Sequence, residues 1–477
     1  MKKSEYSSYD GLGIAKLIRE KEVNVREVLD TAISIIETYD EDISAITTKA
    51  YDHAIRAIEK SQPENIFHGV PFLLKDLNVS CKGLPTTLSS KLFENNIAKN
   101  DSYLIKLYKK AGLIILGLTK TPELALSLTT EPKIFGPTKN PLKKSNSPGG
   151  SSGGSAASIR QGYVPLAHAT DGGGSIRVPA ALCGLFGLKP SRGRVSSGPD
   201  LGETLGGMAI SHCLSKSVRD SAALLDISSE LMPGEPYVSP KQNGKFLDSV
   251  QIEPKNLKIG FMTHDFEGNR LNSDIIQLTK NSAQLCETLG HHVEEINIDL
   301  SAQSILEAWK IIPAINLLNN LENRAKMLGI NLKESDLEPL NWAWMNEGRK
   351  YTAVDYLRAI NNMHKIGRIM ANYFEKYDVI LSPTVNIKEL PLGIVHTDHT
   401  DVDRHLNLLF REIAPHTAIF NQTGGPAMSI PMQVFDDGTP AGMHFAAKIG
   451  DESTLISLAA QIEKYHPWDC SPQIMIK

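Results

Sequence analysis

The sequence predicts a protein of the α/β class, because amphipathic helices and buried strands follow one another along the chain. Residues 25–36 repeat apolar side chains at helical spacing, and Asn24 is the predicted N-cap of that helix. Residues 104–110 have a helical pattern, and residues 113–118 are apolar throughout, as in a parallel strand covered on both faces. A helix followed by a buried strand is the order expected in an α/β sheet.

The length and composition indicate a globular protein and exclude one class of partner. A chain of 477 residues is long enough for two or three average domains, or for one large α/β domain with insertions. Its content of 41% hydrophobic and 22% charged residues is ordinary for a soluble protein. The net charge of −4 gives no general attraction to nucleic acid, so no nucleic-acid partner is expected.

The cysteines and the chain start predict the compartment. The five cysteines are scattered, odd in number and form no C-x-x-C pair, which indicates a reducing compartment without a disulfide framework or structural zinc. Residues 1–16 contain no apolar core, so no secretory signal is expected. No apolar run approaches the roughly 18–20 residues of a membrane span. We therefore expect a cytoplasmic protein without a membrane partner.

Two glycine-flanked serine sites lie in the stretch from 147 to 180, SPGGSSGGSAASIRQGYVPLAHATDGGGSIRVPA. Glycine lets a ligand approach the backbone closely, so the loops at 149–154 and 171–175 place serine hydroxyls beside N–H groups, as acyl transfer requires. A flexible linker has a similar composition. However, a predicted helix at 155–159 and a predicted buried strand at 163–167 lie between the loops, and a linker needs neither. Phosphate binding is not favoured, because the P-loop motif is absent and neither loop contains lysine.

The run GGSSGGSAAS…DGGGSIRVPA resembles the signature of the amidase signature family, whose members hydrolyse amides with a Ser/cis-Ser/Lys triad. The resemblance implies that Ser175 is the nucleophile and that Ser151, 24 residues earlier and held by a cis peptide bond, is the bridging serine. It implies Lys75 as the third member, at the end of the apolar run GVPFLLKD. Ser152 competes with Ser151 for the bridging role, and only the family spacing favours Ser151.

The lysine has two interpretations when it is taken by itself. A Lys-Asp pair at the end of a strand is usually solvated. Five apolar residues precede Lys75, however, so its ammonium is expected near buried surface. Burial disfavours the charged form and lowers a lysine pKa, which a neutral-lysine base requires.

The nucleophile loop is expected to supply an oxyanion hole and to be fixed by a charge pair. The predicted donors are the backbone N–H groups of Gly172, Gly173, Gly174 and Ser175. Asp171 and Arg177 flank the nucleophile, and an ion pair that fixes the loop is favoured over substrate contact.

Three further features bear on the pocket. Lys120 stands where the family usually has asparagine, and this difference weakens any substrate assignment that is taken from other family members. The aromatic residues of segment 301–375, for example Trp309 and Trp344, are more typical of core than of a substrate pocket. The His/Asp-rich stretch 396–405 is predicted to be a solvated loop and not a metal site, and neither a metal nor a cofactor is expected.

By resemblance, the fold is a large mixed β-sheet covered by helices on both faces, with the triad at one edge. A single amidase domain is expected over 1–477. It would contain a catalytic core at about 60–225, a helix-rich substrate-side segment at about 300–375 and a C-terminal return to the sheet at about 377–465. The return comprises a strand at 377–384, two strands joined by a turn within 421–443 and a helix from about Glu452.

The function implied by the resemblance is hydrolysis of a small-molecule carboxylic amide through an acyl-enzyme. The run from 169 to 200 is most similar to bacterial amidases of the 6-aminohexanoate-cyclic-dimer hydrolase type. One alternative is the amidotransferase subunit of a tRNA-dependent Gln/Asn synthesis complex. A second is a non-catalytic binding protein on the same fold, although packing alone does not require all three triad residues. A homodimer is one expected assembly.

Overall fold

The computed structural model describes residues 1–472 and contains an eleven-stranded sheet over that range, in the order β1-β3-β2-β4-β6-β5-β10-β11-β9-β7-β8. The strands are β1 (Ile46–Lys49), β2 (Pro71–Lys75), β3 (Ile114–Thr119), β4 (Leu166–Asp171), β5 (Phe186–Lys189), β6 (Ile210–Ser215), β7 (Lys258–Phe261), β8 (His292–Glu295), β9 (Val379–Pro383), β10 (Ala427–Val434) and β11 (Pro440–Ala446). The β2–β3, β2–β4, β7–β8 and β7–β9 pairs are parallel, and the remaining pairs are antiparallel. The sheet is therefore mixed, as predicted.

Helices fill the connections between the strands. They are α1 (Lys3–Ser8), α2 (Gly11–Arg19), α3 (Val25–Ile43), α4 (Tyr51–Ala57), α5 (Tyr103–Lys110), α6 (Gly153–Arg160), α7 (Arg177–Cys183), α8 (Val218–Ser228), α9 (Phe246–Ser249), α10 (Ser273–Thr288), α11 (Ala302–Leu328), α12 (Pro339–Gly348), α13 (Ala353–Phe374), α14 (Val402–Asn407), α15 (Ala418–Thr423) and α16 (Glu452–Tyr465). Every residue of β2, β3 and β4 is buried. Because successive strand residues point to opposite faces, both faces of the sheet are covered there.

Local signals account for the early elements. Helix α3 begins after Asn24, whose side chain accepts a hydrogen bond from the Glu27 N–H at 2.9 Å, as predicted. Helix α5 and strand β3 follow each other as expected, and α6 contains the predicted helix at 155–159. The helix-rich segment predicted at 301–375 contains α11, α12 and α13.

Two predicted boundaries are wrong. The strand predicted at 163–167 begins only at Leu166, because Pro165 lacks an N–H for the ladder. Residues 421–423, predicted within a strand, end α15, and Gly424 caps that helix with φ +80°.

The apolar interior has two parts. The larger cluster lies around the sheet and includes residues of α3, β2, β3, β4 and α16. The second is formed mainly by α11, α12, α13 and the 402–420 region, with Trp309 and Trp344 inside it. None of the helices in residues 1–472 has the length and apolar character needed to cross a membrane.

Candidate active site

Lys75 is the last residue of β2 and is completely buried. Its Nζ lies within hydrogen-bond distance of three hydroxyls: Ser151 Oγ at 2.7 Å, Thr170 Oγ1 at 2.7 Å and Ser152 Oγ at 3.0 Å. Strand β4, which contains Thr170, runs parallel to β2 and beside it. The carboxyl ends of these two inner strands therefore meet, and the site lies at that edge of the sheet.

Burial dominates the electrostatics of this lysine. Desolvation lowers the pKa of Lys75 well below its usual value, and the carboxylate of Asp171 opposes the shift only in part. No water-exposed surface is available to hydrate an ammonium at this position. The site therefore favours the neutral amine, which has a lone pair that can accept a proton.

The first serine loop is held tightly against the sheet. The Gly150–Ser151 peptide bond is cis. A Cβ at Gly150 would lie 2.2 Å from the carbonyl oxygen of Thr129, so only glycine fits there. Ser152 is the N-cap of α6, and its N–H donates to the carbonyl oxygen of Ser175 at 3.3 Å. This hydrogen bond joins the two glycine loops.

The second loop follows β4 and is fixed by a buried charge pair. Arg177 donates from Nη2 to Asp171 Oδ1 at 2.8 Å and from Nε to Asp171 Oδ2 at 2.9 Å, and both side chains are fully buried. Burial raises the pKa of Asp171, but Arg177 and Asn421 outweigh that effect and hold the pKa below its usual range. The ion pair expected from the sequence is therefore present, and it shapes the loop around Ser175.

The backbone groups of this loop have distinct partners. The Gly174 N–H donates to Asp171 Oδ1 at 2.8 Å. Trp309 Nε1 donates to the carbonyl oxygen of Gly172 at 3.1 Å, and Thr417 Oγ1 donates to that of Gly173 at 2.6 Å. Because each peptide unit is planar, these bonds fix the directions of the N–H groups that follow. The Gly174 N–H therefore already has Asp171 as its acceptor, a hydrogen bond that was not predicted from the sequence.

A cavity of about 560 Å³ opens above the two loops. Ser151, Ser175, Gly172 and Gly173 line it, whereas Lys75 lies behind Ser151 and outside the lining. Most of the remaining wall is apolar, with asparagine side chains along one side. The structure thus places a serine hydroxyl that is hydrogen-bonded to a buried lysine, and a second serine, at the same end of one cavity.

The comparison with known proteins gives the family. The sequence profile of the Amidase family matches residues 27–456. The chain belongs to the amidase signature family. This amidase is 32% identical to the 6-aminohexanoate-cyclic-dimer hydrolase of Pseudomonas sp. (strain NK87), over 96% of this chain and 95% of the relative. It is also 32% identical to a glutamyl-tRNA(Gln) amidotransferase subunit of Persephonella marina, over 94% and 96% of the two chains.

Solved structures agree with this assignment. The structure of 6-aminohexanoate cyclic dimer hydrolase superposes with a TM-score of 0.93 at 31% identity, covering 98% of this chain and 99% of that one. The protein is therefore an amidase with the fold of that family, and it hydrolyses carboxylic amide bonds. A non-catalytic binding role on the same fold is excluded as its main function.

Two candidate features of the amidase lie outside the cavity. Lys120 donates from Nζ to Ser44 Oγ at 2.6 Å and to the carbonyl oxygen of Phe135 at 2.9 Å, and it does not line the cavity. Burial lowers the pKa of Lys120 to about 8.

No metal-binding cluster of His, Cys, Asp or Glu occurs in residues 1–472. The stretch 396–405 is only partly the predicted solvated loop, because α14 begins at Val402 and buries His405 against the carbonyl oxygen of Leu126.

Sequence reasoning missed two residues of the site. Thr170 precedes Asp171 on β4 and hydrogen-bonds to Lys75. The strand predicted at 163–167 ends before Thr170, and its place directly before the second glycine loop was the available signal. Trp309 lines the cavity and contacts the loop that contains Ser175, although aromatic residues at helical spacing usually pack in a core. Nothing in the local sequence distinguishes it from Trp344, which is buried and does not line the cavity.

Proposed function

We propose that the amidase acts through an acyl-enzyme on Ser175, with Ser151 as proton relay and neutral Lys75 as base. Ser175 Oγ attacks the carbonyl carbon and gives its proton to Ser151, while Ser151 gives its own proton to Lys75 Nζ. The observation that carries this proposal is the 2.7 Å hydrogen bond between Lys75 Nζ and Ser151 Oγ, in a site where burial disfavours the ammonium.

The relay then runs in reverse. Lys75 returns a proton to Ser151, and Ser151 protonates the amide nitrogen as the C–N bond breaks, because an amine leaves poorly without a proton. The amine departs, and the acyl group remains as an ester of Ser175. Water gives a proton to the relay and attacks this ester, which releases the carboxylate and restores the Ser175 hydroxyl.

We propose the N–H groups of Gly172, Gly173 and Ser175 as the oxyanion donors. The oxyanion donors predicted from the sequence also included the N–H group of Gly174, but this group donates to Asp171. Gly174 has φ +139°, and a Cβ there would lie 2.8 Å from Thr417 Oγ1, so its role is to let the loop turn. Loss of one oxyanion donor typically lowers kcat by about two to three orders of magnitude.

The substrate we propose is a small-molecule amide with apolar groups around the scissile bond. The apolar wall beside Ser175, which includes Trp309 and Phe410, supports this choice. Cyclic amide dimers of the kind named for the Pseudomonas relative are included.

The amidase is proposed to act as one domain and without a partner subunit, since a single sheet supplies both glycine loops. A cytoplasmic location is part of the proposal, supported by five free cysteines within the described residues. We also propose a homodimer, which size-exclusion chromatography tests.

The second candidate function is an amidotransferase subunit, because identity to the Persephonella protein is equally high.

The deciding experiment measures hydrolysis of an aryl amide, a cyclic amide dimer and glutamine by the purified chain, beside Ser175→Ala and Lys75→Ala. Turnover of the aryl or cyclic amide that both variants abolish supports the independent amidase. Glutaminase activity that appears only with partner subunits supports the amidotransferase. A folded wild-type chain whose activity survives in Ser175→Ala contradicts the proposed nucleophile.

A further inference from the structure

The cavity follows one face of α11 from the nucleophile loop toward the protein surface. The residues of α11 that line this wall recur at helical spacing and include Trp309, Asn316, Asn320, Asn323 and Met327. Trp309 contacts the nucleophile loop, whereas Met327 is 77% exposed. The cavity is therefore elongated, with Ser175 at its inner end.

Arg324 lines the outer part of this cavity. A rise of 1.5 Å per residue places it about 22 Å along the helix axis from Trp309. Side chains on an α-helix are tilted toward its N-terminus, which shortens that span. A substrate that contacts both Ser175 and Arg324 therefore needs an extended chain.

The Arg324 guanidinium is held by neutral groups. It is only 9% exposed, and it donates from Nε to the carbonyl oxygen of Leu92 and from Nη1 to Asn96 Oδ1, each at 3.1 Å. It also lies 5.0 Å from the centre of the Phe93 ring. Within residues 1–472, no carboxylate lies within 4 Å of this guanidinium, and three of its five N–H groups have no acceptor.

A buried cation without a counter-ion is unfavourable, and two other buried arginines have one. Arg177 pairs with Asp171, and Arg194 pairs with Glu452, in both cases between buried side chains. At Arg324 burial lowers the pKa, and no acidic group opposes that effect. The cation is thus fixed in position, with donors available to an anion that enters the cavity.

Two carboxylates also line the cavity, on the loop between β5 and β6. Asp200 and Glu203 are exposed, so water and salt screen their charge, whereas Arg324 is largely shielded. An anion that reaches the guanidinium consequently gains a charge-assisted hydrogen bond that these exposed groups weaken only slightly.

We propose that Arg324 binds a carboxylate at the far end of an extended amide substrate, so that the enzyme prefers amides whose longer chain ends in a carboxylate. This inference rests on the proposed function, because Ser175 defines the other end of the substrate. The planar guanidinium suits a carboxylate, since two parallel N–H groups can donate to its two oxygens.

The test compares kcat/KM for matched amides of increasing chain length that end either in a carboxylate or in an isopropyl group of similar shape without charge. One set carries the terminal group on the acyl chain and a second set carries it on the amine. Wild type, Arg324→Gln and Arg324→Lys are measured, with Lys326→Gln as the control, because Lys326 is exposed on the same helix and does not line the cavity.

For long substrates of at least one set, we expect wild type to favour the carboxylate by about 10- to 100-fold, as a charge-assisted bidentate contact allows. Arg324→Gln should lose this preference while it retains turnover of the isopropyl amide, Arg324→Lys should retain part of it, and Lys326→Gln should retain all of it. Equal use of both end groups by wild type, or a preference that persists in Arg324→Gln, overturns the proposal.

A binding measurement separates this inference from the proposed catalysis. Calorimetric titration of Ser175→Ala with the long carboxylate amide should show binding that is at least about tenfold weaker in Ser175→Ala/Arg324→Gln. If wild type hydrolyses none of the amides yet this difference is present, the proposed reaction fails and the carboxylate site stands. Equal affinities for the two variants overturn the carboxylate site.

Discussion

Arg177 and Asp171 form a buried, doubly hydrogen-bonded ion pair between the start of α7 and the end of β4, on either side of Ser175. The carboxylate also accepts the N–H groups of Gly174 and Ile176, at 2.8 and 3.0 Å. The buried ion pair therefore also fixes the backbone conformation of the loop that contains Ser175.

Arg177→Met should destabilise the protein by about 3–5 kcal/mol, because it leaves the Asp171 carboxylate buried without a cation. Urea unfolding at neutral pH measures the effect. Arg26→Gln is the control, since Arg26 forms an exposed pair with Asp30 one helical turn away and its loss should change stability little. A free energy of unfolding for Arg177→Met close to that of wild type would show that the pair does not stabilise the loop.

The activity should rise with pH through the pKa of Lys75. Only the neutral amine accepts the proton from Ser151, and below the pKa its population increases tenfold for each pH unit. We therefore expect kcat/KM to increase with unit slope on the acid side and to reach a plateau at a pH below the usual lysine value, because burial lowers this pKa. A pH–rate profile with an aryl amide measures it, and a midpoint at the ordinary lysine pKa would contradict the neutral-base role.

Thr170→Val should move this midpoint to lower pH. Thr170 Oγ1 is one of three hydroxyl acceptors of Lys75 Nζ, and three acceptors match the three N–H groups of an ammonium. Removing one acceptor disfavours the charged form and lowers the pKa further. An unchanged or higher midpoint in Thr170→Val would show that Thr170 does not stabilise the ammonium.

Ser151→Ala should lower kcat/KM by about two to four orders of magnitude, as expected for loss of a proton relay. Ser152→Ala should cost much less, although both hydroxyls lie within hydrogen-bond distance of Lys75 Nζ. The difference is that Ser151 lines the cavity, whereas the Ser152 hydroxyl donates to the carbonyl oxygen of Thr170 at 3.2 Å. The two variants are each other's control, and equal losses would assign the relay to both serines.

Much of the fold was predictable from local sequence signals. Apolar runs identified β2 and β3, Asn24 marked the start of α3, and the glycine clusters located the two loops of the site. These signals are local because periodicity, capping and glycine content depend on neighbouring residues.

Long-range contacts explain what the sequence did not predict. Asn421 donates to the Asp171 carboxylate and accepts from Arg177, but 250 residues separate it from Asp171 in the chain. The sequence predicts residues 421–423 within a strand, and only the three-dimensional structure shows that they end a helix beside the loop that contains Ser175. The hydrogen bond from the Gly174 N–H to Asp171 likewise depends on the loop conformation, which the residue composition of the loop does not specify.

Trp309→Phe should lower kcat about tenfold, because displacement of catalytic groups by a fraction of an ångström is costly in oriented sites. The substitution removes the 3.1 Å hydrogen bond from Nε1 to the carbonyl oxygen of Gly172, and that bond fixes the peptide unit that contains the Gly173 N–H. Steady-state kinetics with an aryl amide should show the loss in kcat rather than in KM, since the oxyanion forms only in the reaction.

Trp344→Phe supplies the matched control for this prediction. The Trp309 and Trp344 rings pack edge-to-face, and replacing either indole with a phenyl ring removes the same volume. Within residues 1–472, however, Trp344 Nε1 has no hydrogen-bond partner to lose. Trp344→Phe should therefore lower stability by loss of packing and leave kcat near that of wild type. If both variants lose kcat equally, packing around α11 and not the Trp309 hydrogen bond positions the nucleophile loop.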